Sequence, residues 1–136
     1  MMAVLHLFAM ALSILSLNCN GICDQPKMVG LVQWLRSPSA TFDVVCLQET
    51  HCISSAECAS WFASSGFSSC VSPGSAHSCG CIILHRPTLS LADLWSDSDG
   101  RLLQCAFSFF DKVFRVCCLY APNHNPGRDQ FLRVCL

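Results

Sequence analysis

The sequence predicts an α/β layered sandwich, in which helices pack outside a set of six or seven β-strands. The stretch from Leu12 to Gln48 has the pattern strand, helix, strand, which is the size of one βαβ-like unit. From Phe67 onward, short apolar runs are separated by turn residues. Of the 136 residues, 52% are hydrophobic and only 12% are charged, which suits one domain with a core and excludes a disordered chain.

The first half is predicted to hold two strands and two helices. Apolar residues after Pro26 recur at helical spacing, and Ser54 with Glu57 has the pattern of a capping box. The run Val44–Leu47 has the composition of a strand that is covered on both faces. The predicted elements are a strand over Leu12–Leu17, a helix from Pro26 to Ser37-Pro38, a strand over Asp43–Gln48 and a helix from Ser54 to Ser65-Gly66.

The second half is predicted to hold short strands and a final helix. Asp99-Gly100 between apolar runs is typical of a hairpin, and Pro126-Gly127 introduces a segment with helical spacing. The predicted elements are strands over Phe67–Ser72, Gly80–His85, Leu89–Trp95, Arg101–Phe109 and Val113–Tyr120, and a helix over Arg128–Leu136.

Twelve cysteines in so short a chain are typical of a secreted disulfide scaffold, but their placement favours reduced, structural thiols. Several lie inside apolar runs, where a free Cys behaves as a small buried hydrophobe. These are Cys46, Cys81, Cys105, Cys117 and Cys118. No Cys-x-x-Cys spacing occurs, so metal binding ranks after disulfides among the alternatives. This placement favours an intracellular protein, and a small secreted Cys-rich protein remains the alternative.

The N-terminal segment Met1–Leu17 is almost wholly apolar. No Lys or Arg precedes Lys27, so the basic region of a signal peptide is absent, and the run is slightly short for a membrane span. We expect residues 1–10 to form an apolar leader of uncertain role and residues 11–136 to form the domain. No stable membrane partner is expected, and nothing in the sequence indicates an oligomeric state. A signal sequence stays open as an alternative.

Glu49 is the first candidate site residue, because it ends an apolar strand between Gln48 and Thr50. A carboxylate held at the rigid end of a strand is suited to a hard divalent cation or a metal-bound phosphate. The alternative is a Glu that begins a solvated loop. The formal net charge is −1 and no basic run occurs, so contact with nucleic acid would be local and metal-assisted.

Four stretches, taken in order, resemble one family. They are Leu15-Ser16-Leu17-Asn18-Cys19-Asn20-Gly21, Val45-Cys46-Leu47-Gln48-Glu49-Thr50-His51, Gly80-Cys81-Ile82-Ile83-Leu84 with Asp99-Gly100-Arg101, and Leu119-Tyr120-Ala121-Pro122-Asn123. Their order and spacing are similar to the endonuclease/exonuclease/phosphatase superfamily, which has a DNase I-like fold. Within it, they most resemble the apurinic/apyrimidinic-type endonuclease domain of non-LTR retrotransposons. The resemblance implies a four-layer α/β/β/α sandwich.

The resemblance also implies a metal-dependent hydrolysis of DNA. Glu49 would be the main ligand of Mg²⁺, for which Mn²⁺ could substitute, and Asn20 would support the metal side. Asn18 would orient the scissile phosphate or the attacking water. Tyr120 would reach the phosphate with its hydroxyl. In this family, water attacks a phosphodiester in line, and the metal stabilises the developing charge.

Two further residues are implied as contacts to the substrate. Asn123 would shape the loop beside the site, and Arg101 would contact the DNA backbone or support the structure. The partner implied is therefore the phosphodiester backbone of DNA.

The sequence departs from the family in its later motifs. An Asp-x-Asn segment and a closing Ser-Asp-His segment, which supplies the general base, are not found, and none of the five histidines has that context. We therefore expect a truncated domain with its C-terminal part missing, inactive and prone to aggregate. The alternative is a non-catalytic remnant or binding module.

Overall fold

The computed structural model describes residues 11–135, so the predicted leader over residues 1–10 lies outside the described residues. Every predicted element is present within a few residues of its expected bounds, and the second helix ends earliest, at Phe62. The elements are β1 (Ile14–Asn18), α1 (Gln25–Arg36), β2 (Val44–Gln48), α2 (Ser55–Phe62), β3 (Ser68–Ser72), β4 (Cys81–His85), β5 (Ser90–Ser96), β6 (Leu102–Phe109), β7 (Lys112–Leu119) and α3 (Gly127–Cys135).

The first sheet has the strand order β1-β2-β4-β3. β1 and β2 run parallel, with Asn18 opposite Gln48, while β4 pairs antiparallel with both β2 and β3. Every residue of β2 and β4 is buried, because these two central strands are covered on both faces. The carboxyl ends of β1 and β2 therefore lie side by side at one end of the sheet, and this end is the edge at which the candidate site lies.

The second sheet is antiparallel, with the order β5-β6-β7. The predicted hairpin at Asp99-Gly100 joins β5 to β6, and Phe110-Asp111 joins β6 to β7. The Asp97 carboxylate holds the first of these turns, since its Oδ1 accepts hydrogen bonds of 3.0 Å from the backbone N–H groups of Arg101 and Leu102.

Two apolar layers hold the elements together. Successive side chains of a strand point to opposite faces of the sheet, so β2 serves both layers. Val45 and Leu47 pack with α1 and α2, whereas Val44 and Cys46 pack against the second sheet. The α/β sandwich is therefore confirmed. α3 follows β7, and none of its described residues is buried. Among residues 11–135, no helix is long and apolar enough to span a membrane.

The cysteine expectations are partly confirmed. Cys46, Cys81, Cys105 and Cys118 are buried as expected, but Cys117 is exposed. That expectation was wrong because Cys117 pairs with Gln104 on the face of β7 that points away from the inter-sheet core.

One pair of cysteines is oxidised, so the expectation of reduced thiols was wrong for this pair. Cys52 and Cys58 form a disulfide with their Cα atoms 6.4 Å apart. The two residues lie six positions apart, in α2 and in the segment before it, and both side chains are fully buried in the apolar layer between the first sheet and the helices α1 and α2. The predicted cap of α2 is present, because the Ser54 hydroxyl accepts a hydrogen bond from the Glu57 N–H at 3.4 Å.

The burial pattern predicts a large difference between two Phe→Ala substitutions. Phe62 is 0% exposed in the helix-side layer, and Phe110 is 62% exposed in the β6–β7 turn. Phe62→Ala should lower the free energy of unfolding by about 3–5 kcal/mol, since it removes apolar contacts and leaves a cavity. Phe110→Ala should change it by about 0.5 kcal/mol or less. Urea unfolding followed by tryptophan fluorescence measures both, and equal effects would contradict this packing.

Candidate active site

Backbone pairing between β1 and β2 continues beyond the ends of the strands. The N–H groups of Cys19, Gly21 and Ile22 donate to the carbonyls of Gln48, Glu49 and Thr50 at 2.8, 2.7 and 3.1 Å. The turn after β1 is thus hydrogen-bonded through three of its residues to the segment that carries Glu49. Side chains of both segments are presented at one edge of the sheet.

The backbone of these segments adopts the left-handed region at several non-glycine residues. Asn20, Glu49 and His51 have φ angles of 47°, 50° and 58°. Such conformations cost free energy and persist where the surroundings determine them, as is common at functional sites. At Asn20 the support is local, because its N–H donates to the Asn18 side-chain oxygen at 3.0 Å.

At Glu49 and His51 the support comes from the start of β4. The Thr50 N–H donates to the Gly80 carbonyl at 3.1 Å, and the His51 N–H donates to the Cys79 carbonyl at 3.0 Å. Gly80 has a φ of 91°, and a Cβ there would overlap the Thr50 hydroxyl. Only a glycine allows so close an approach, so Gly80 seats the loop that carries Glu49.

Tyr120 reaches this edge from the second sheet. Its backbone N–H donates to the Arg101 carbonyl at 2.8 Å, just beyond the last pair of β6 and β7. Its hydroxyl accepts a hydrogen bond of 3.2 Å from the Asn123 side-chain amide, and the nearby Glu49 carboxylate raises the pKa of the phenol. The Arg101 guanidinium lies 5.4 Å from the centre of the Tyr120 ring and donates to the Tyr120 carbonyl at 3.3 Å.

The Glu49 carboxylate determines the acid–base behaviour of Tyr120. Hydrogen bonding to Glu49 is the largest of the causes that raise the pKa of the Tyr120 phenol, followed by burial. The Asn123 amide and the charge of Arg101 act in the opposite direction, and the net effect is a raised pKa. The phenol therefore remains protonated throughout the neutral range and acts as a hydrogen-bond donor.

The structure brings the predicted site residues to one edge in two ways. Tyr120, Asn123 and Arg101 are connected through side-chain contacts, and the Glu49 carboxylate is near enough to Tyr120 to raise the pKa of its phenol. Asn18 and Asn20, both exposed, are connected to Glu49 through the paired backbone. Within residues 11–135, no group of three or more His, Cys, Asp or Glu side chains is close enough to hold a metal ion. Glu49 therefore brings one carboxylate to this edge, beside amide and phenol oxygens.

None of the histidines in the described part of the chain is hydrogen-bonded to the Glu49 carboxylate or the Tyr120 hydroxyl. The half-buried ring of His51 packs on Gly21, where a Cβ would lie 2.9 Å from its Nδ1 atom. His85 is buried in β4, with Nδ1 3.1 Å from the Arg86 carbonyl. His77 and His124 are exposed.

Sequence reasoning missed Lys27, which lies in α1. Its Nζ atom donates to the carbonyls of Asn20 and Gly21 at 3.2 and 3.3 Å. One feature of the sequence could have indicated a role for Lys27. It lies in the first turn of a helix that has no acidic residue there, although the helix dipole disfavours a cation at that end.

Comparison with known proteins agrees with this geometry. A family model described as "Endonuclease/Exonuclease/phosphatase family" matches residues 15–134. Comparison with curated proteins finds no match. Among solved structures, the chain is similar to an AP endonuclease from Archaeoglobus fulgidus, with 22% identity, a TM-score of 0.64, and coverage of 82% of this chain and 42% of that one.

A second solved structure is the AP endonuclease LMAP from Leishmania major, with 19% identity, a TM-score of 0.60, and coverage of 88% of this chain and 43% of that one. At these identities the likeness shows the fold, and it confirms the DNase I-like sandwich expected from the sequence. The chain spans less than half the length of either structure.

Tyr120 is the only tyrosine in the chain, so its titration can be observed directly. Ultraviolet absorbance titration should give a phenol pKa above the ordinary value of about 10. Glu49→Gln should lower this pKa toward 10, because it removes the carboxylate that disfavours the phenolate. Because the pKa of Tyr120 is raised on folding, the corresponding contribution to stability is present below pH 10 and is lost as the pH rises through the raised pKa.

Two variants control this titration. Tyr120→Phe supplies the baseline absorbance, and Glu57→Gln removes an exposed carboxylate of α2 and should leave the pKa of Tyr120 unchanged. If Glu49→Gln and Glu57→Gln behave alike, the hydroxyl and the Glu49 carboxylate are not in contact.

Proposed function

The chain belongs to the endonuclease/exonuclease/phosphatase family, and we propose that it forms a nuclease-like site that binds the phosphodiester backbone of DNA with the help of a divalent metal ion. The observation that supports this proposal is the backbone pairing of the Asn18–Ile22 turn with the Gln48–Thr50 segment, together with the effect of the Glu49 carboxylate on the pKa of Tyr120. A carboxylate that could bind a metal ion thus lies near a protonated hydrogen-bond donor. That pairing suits a metal-bound phosphate.

The donor set fits Mg²⁺. Members of this family generally depend on a divalent metal. Mg²⁺ prefers oxygen ligands, keeps several water molecules and is bound through one or two carboxylates together with substrate phosphates. Glu49 would supply the carboxylate, and the Asn20 amide oxygen would help to hold the water molecules that the ion keeps. Mn²⁺ would accept the same ligands. When bound, the ion would neutralise charge that develops on the phosphate.

The remaining residues act on the phosphate directly. Asn18 presents an exposed side-chain amide at the end of β1, next to the turn bonded to Glu49, and would donate to a phosphate oxygen. Tyr120 would donate its phenolic hydrogen, which its raised pKa keeps in place. Asn123 orients that hydroxyl through the bond to Tyr120, and the Arg101 guanidinium adds positive charge on the same side.

The proposal of DNA as substrate rests on the neighbours and the motifs. Both solved structures are described as AP endonucleases. The segments Leu47-Gln48-Glu49-Thr50-His51 and Tyr120-Ala121-Pro122-Asn123 resemble the DNA-nicking domain of non-LTR retrotransposons. We propose that residues 11–136 derive from such a domain.

We further propose that this 136-residue chain alone cleaves DNA slowly or not at all. Hydrolysis needs a group that takes a proton from the attacking water, and such a group contributes about 10²–10⁴-fold to the rate. No described histidine is hydrogen-bonded to the Glu49 carboxylate or the Tyr120 hydroxyl, so no histidine of residues 11–135 is placed there to act as this base. The same observation favours the second candidate function, a metal-assisted DNA-binding module.

The nuclease-like site predicts Mg²⁺-dependent binding of DNA. Fluorescence anisotropy with a labelled DNA duplex should show that Mg²⁺ increases the affinity of the wild-type chain. Glu49→Gln should lose this increase, because it removes the carboxylate proposed as the main ligand of the ion. Glu57→Gln removes a carboxylate from the exposed face of α2 instead, and this variant should bind DNA like the wild type.

Nicking of supercoiled plasmid by the same proteins separates the two candidate functions. We expect no nicking above the Glu49→Ala background at enzyme concentrations that saturate binding. Nicking that disappears in Glu49→Ala would show that another group acts as the base and would overturn the proposal of inactivity. A folded wild-type chain that does not bind DNA with or without Mg²⁺ would overturn the proposed function.

A further inference from the structure

Lys27 is held against the turn that carries Asn18 and Asn20. Its ammonium group has three N–H donors, of which two are directed to the carbonyls of Asn20 and Gly21 at 3.2 and 3.3 Å. The third makes no protein hydrogen bond within the described residues, and the side chain is exposed. The charge is thus fixed in place by the backbone of the site turn, with one donor facing outward.

The stability of α1 does not account for this position. Lys27 lies in the first turn, where the helix dipole disfavours a cation, and that turn has no acidic residue. Within residues 11–135, ion pairs join Arg115 to Asp93 and Arg128 to Asp129, and none involves Lys27. Lys27 therefore forms no ion pair with a carboxylate of residues 11–135, and carbonyl oxygens hold its ammonium group.

The potential of Lys27 extends into the site turn. Burial raises the pKa of the Cys19 thiol to about 11, and the charge of Lys27 acts in the opposite direction because it favours the thiolate. Cys19 lies between Asn18 and Asn20, so an anion bound beside these two residues experiences the same attraction.

We propose that Lys27 binds a phosphate of the nucleic-acid backbone on the Asn18–Asn20 side of the site, while Arg101 stands on the Tyr120 side. This inference rests on the proposed function. The chain has a net charge of −1 and no basic run, so it lacks a broad positive surface that would attract DNA. Affinity must come from a few cations placed beside the site, and each contact to a phosphate releases bound counterions.

The chain supplies a matched control, because Lys112 is its only other lysine. Lys112 begins β7, whereas Tyr120 follows the end of that strand, so the length of β7 separates Lys112 from the site. Lys27→Met and Lys112→Met therefore change the net charge equally at two different places. Lys27→Arg keeps the charge at the site.

The test is fluorescence anisotropy of a fluorescein-labelled DNA duplex with the full 136-residue chain, at constant Mg²⁺ and increasing NaCl. For Lys27→Met we expect about fivefold to tenfold weaker binding at low salt, and a slope of log affinity against log salt that is smaller by about 0.9, the value for one lost phosphate contact. Lys27→Arg should restore most of the affinity and the slope. Lys112→Met should match the wild type.

The outcomes separate this inference from the proposed function. A wild-type chain whose DNA binding depends on Glu49 and Mg²⁺, with Lys27→Met equal to the wild type, would overturn the role of Lys27 alone. Weaker binding with an unchanged salt slope, not restored by Lys27→Arg, would show that Lys27 only supports the turn, and would also overturn it. No binding by the wild type would overturn the proposed function, and this inference with it. Far-ultraviolet circular dichroism confirms that each variant is folded.

Discussion

The candidate site depends on backbone hydrogen bonding that continues past the ends of β1 and β2. The bonds from Cys19 and Gly21 to Gln48 and Glu49 join two loops that side chains alone could not hold in register. Because the two strands are parallel, both loops leave the sheet at the same edge. The left-handed conformation of Glu49 is tolerated for the same reason, since its neighbours leave the backbone no freedom to relax.

The core between the sheets decides whether Tyr120 can reach Glu49. Cys118, which lies two residues before Tyr120, is buried in that core, and its thiol donates to the Leu47 carbonyl at 3.3 Å. Gln48 donates to the same sulfur at 3.4 Å. These contacts fix the end of β7 against the end of β2. The effect of the Glu49 carboxylate on the pKa of Tyr120 is therefore a consequence of sheet packing, and a change in the core would alter it.

The electrostatics of the edge are local. Glu49 brings one carboxylate, Tyr120 brings one protonated phenol, and the cations Arg101 and Lys27 contact the backbone of the loops that carry the other residues. With a net charge of −1, the chain as a whole does not attract a polyanion. Recognition of a phosphodiester at this edge would depend on a metal ion and on a few placed donors, which makes the geometry of the two loops more important than overall charge.

The sequence by itself determined the element order, because hydrophobic periodicity and turn residues are local signals. Glu49 could be proposed as a site residue because it follows an apolar strand, and Tyr120 because its segment resembles a motif of the family. Only the tertiary structure decided that the end of β7 lies against the end of β2, which brings Tyr120 near Glu49. The physical reason is that this contact joins segments about seventy residues apart, and a local pattern carries no information about which distant segment will lie beside it.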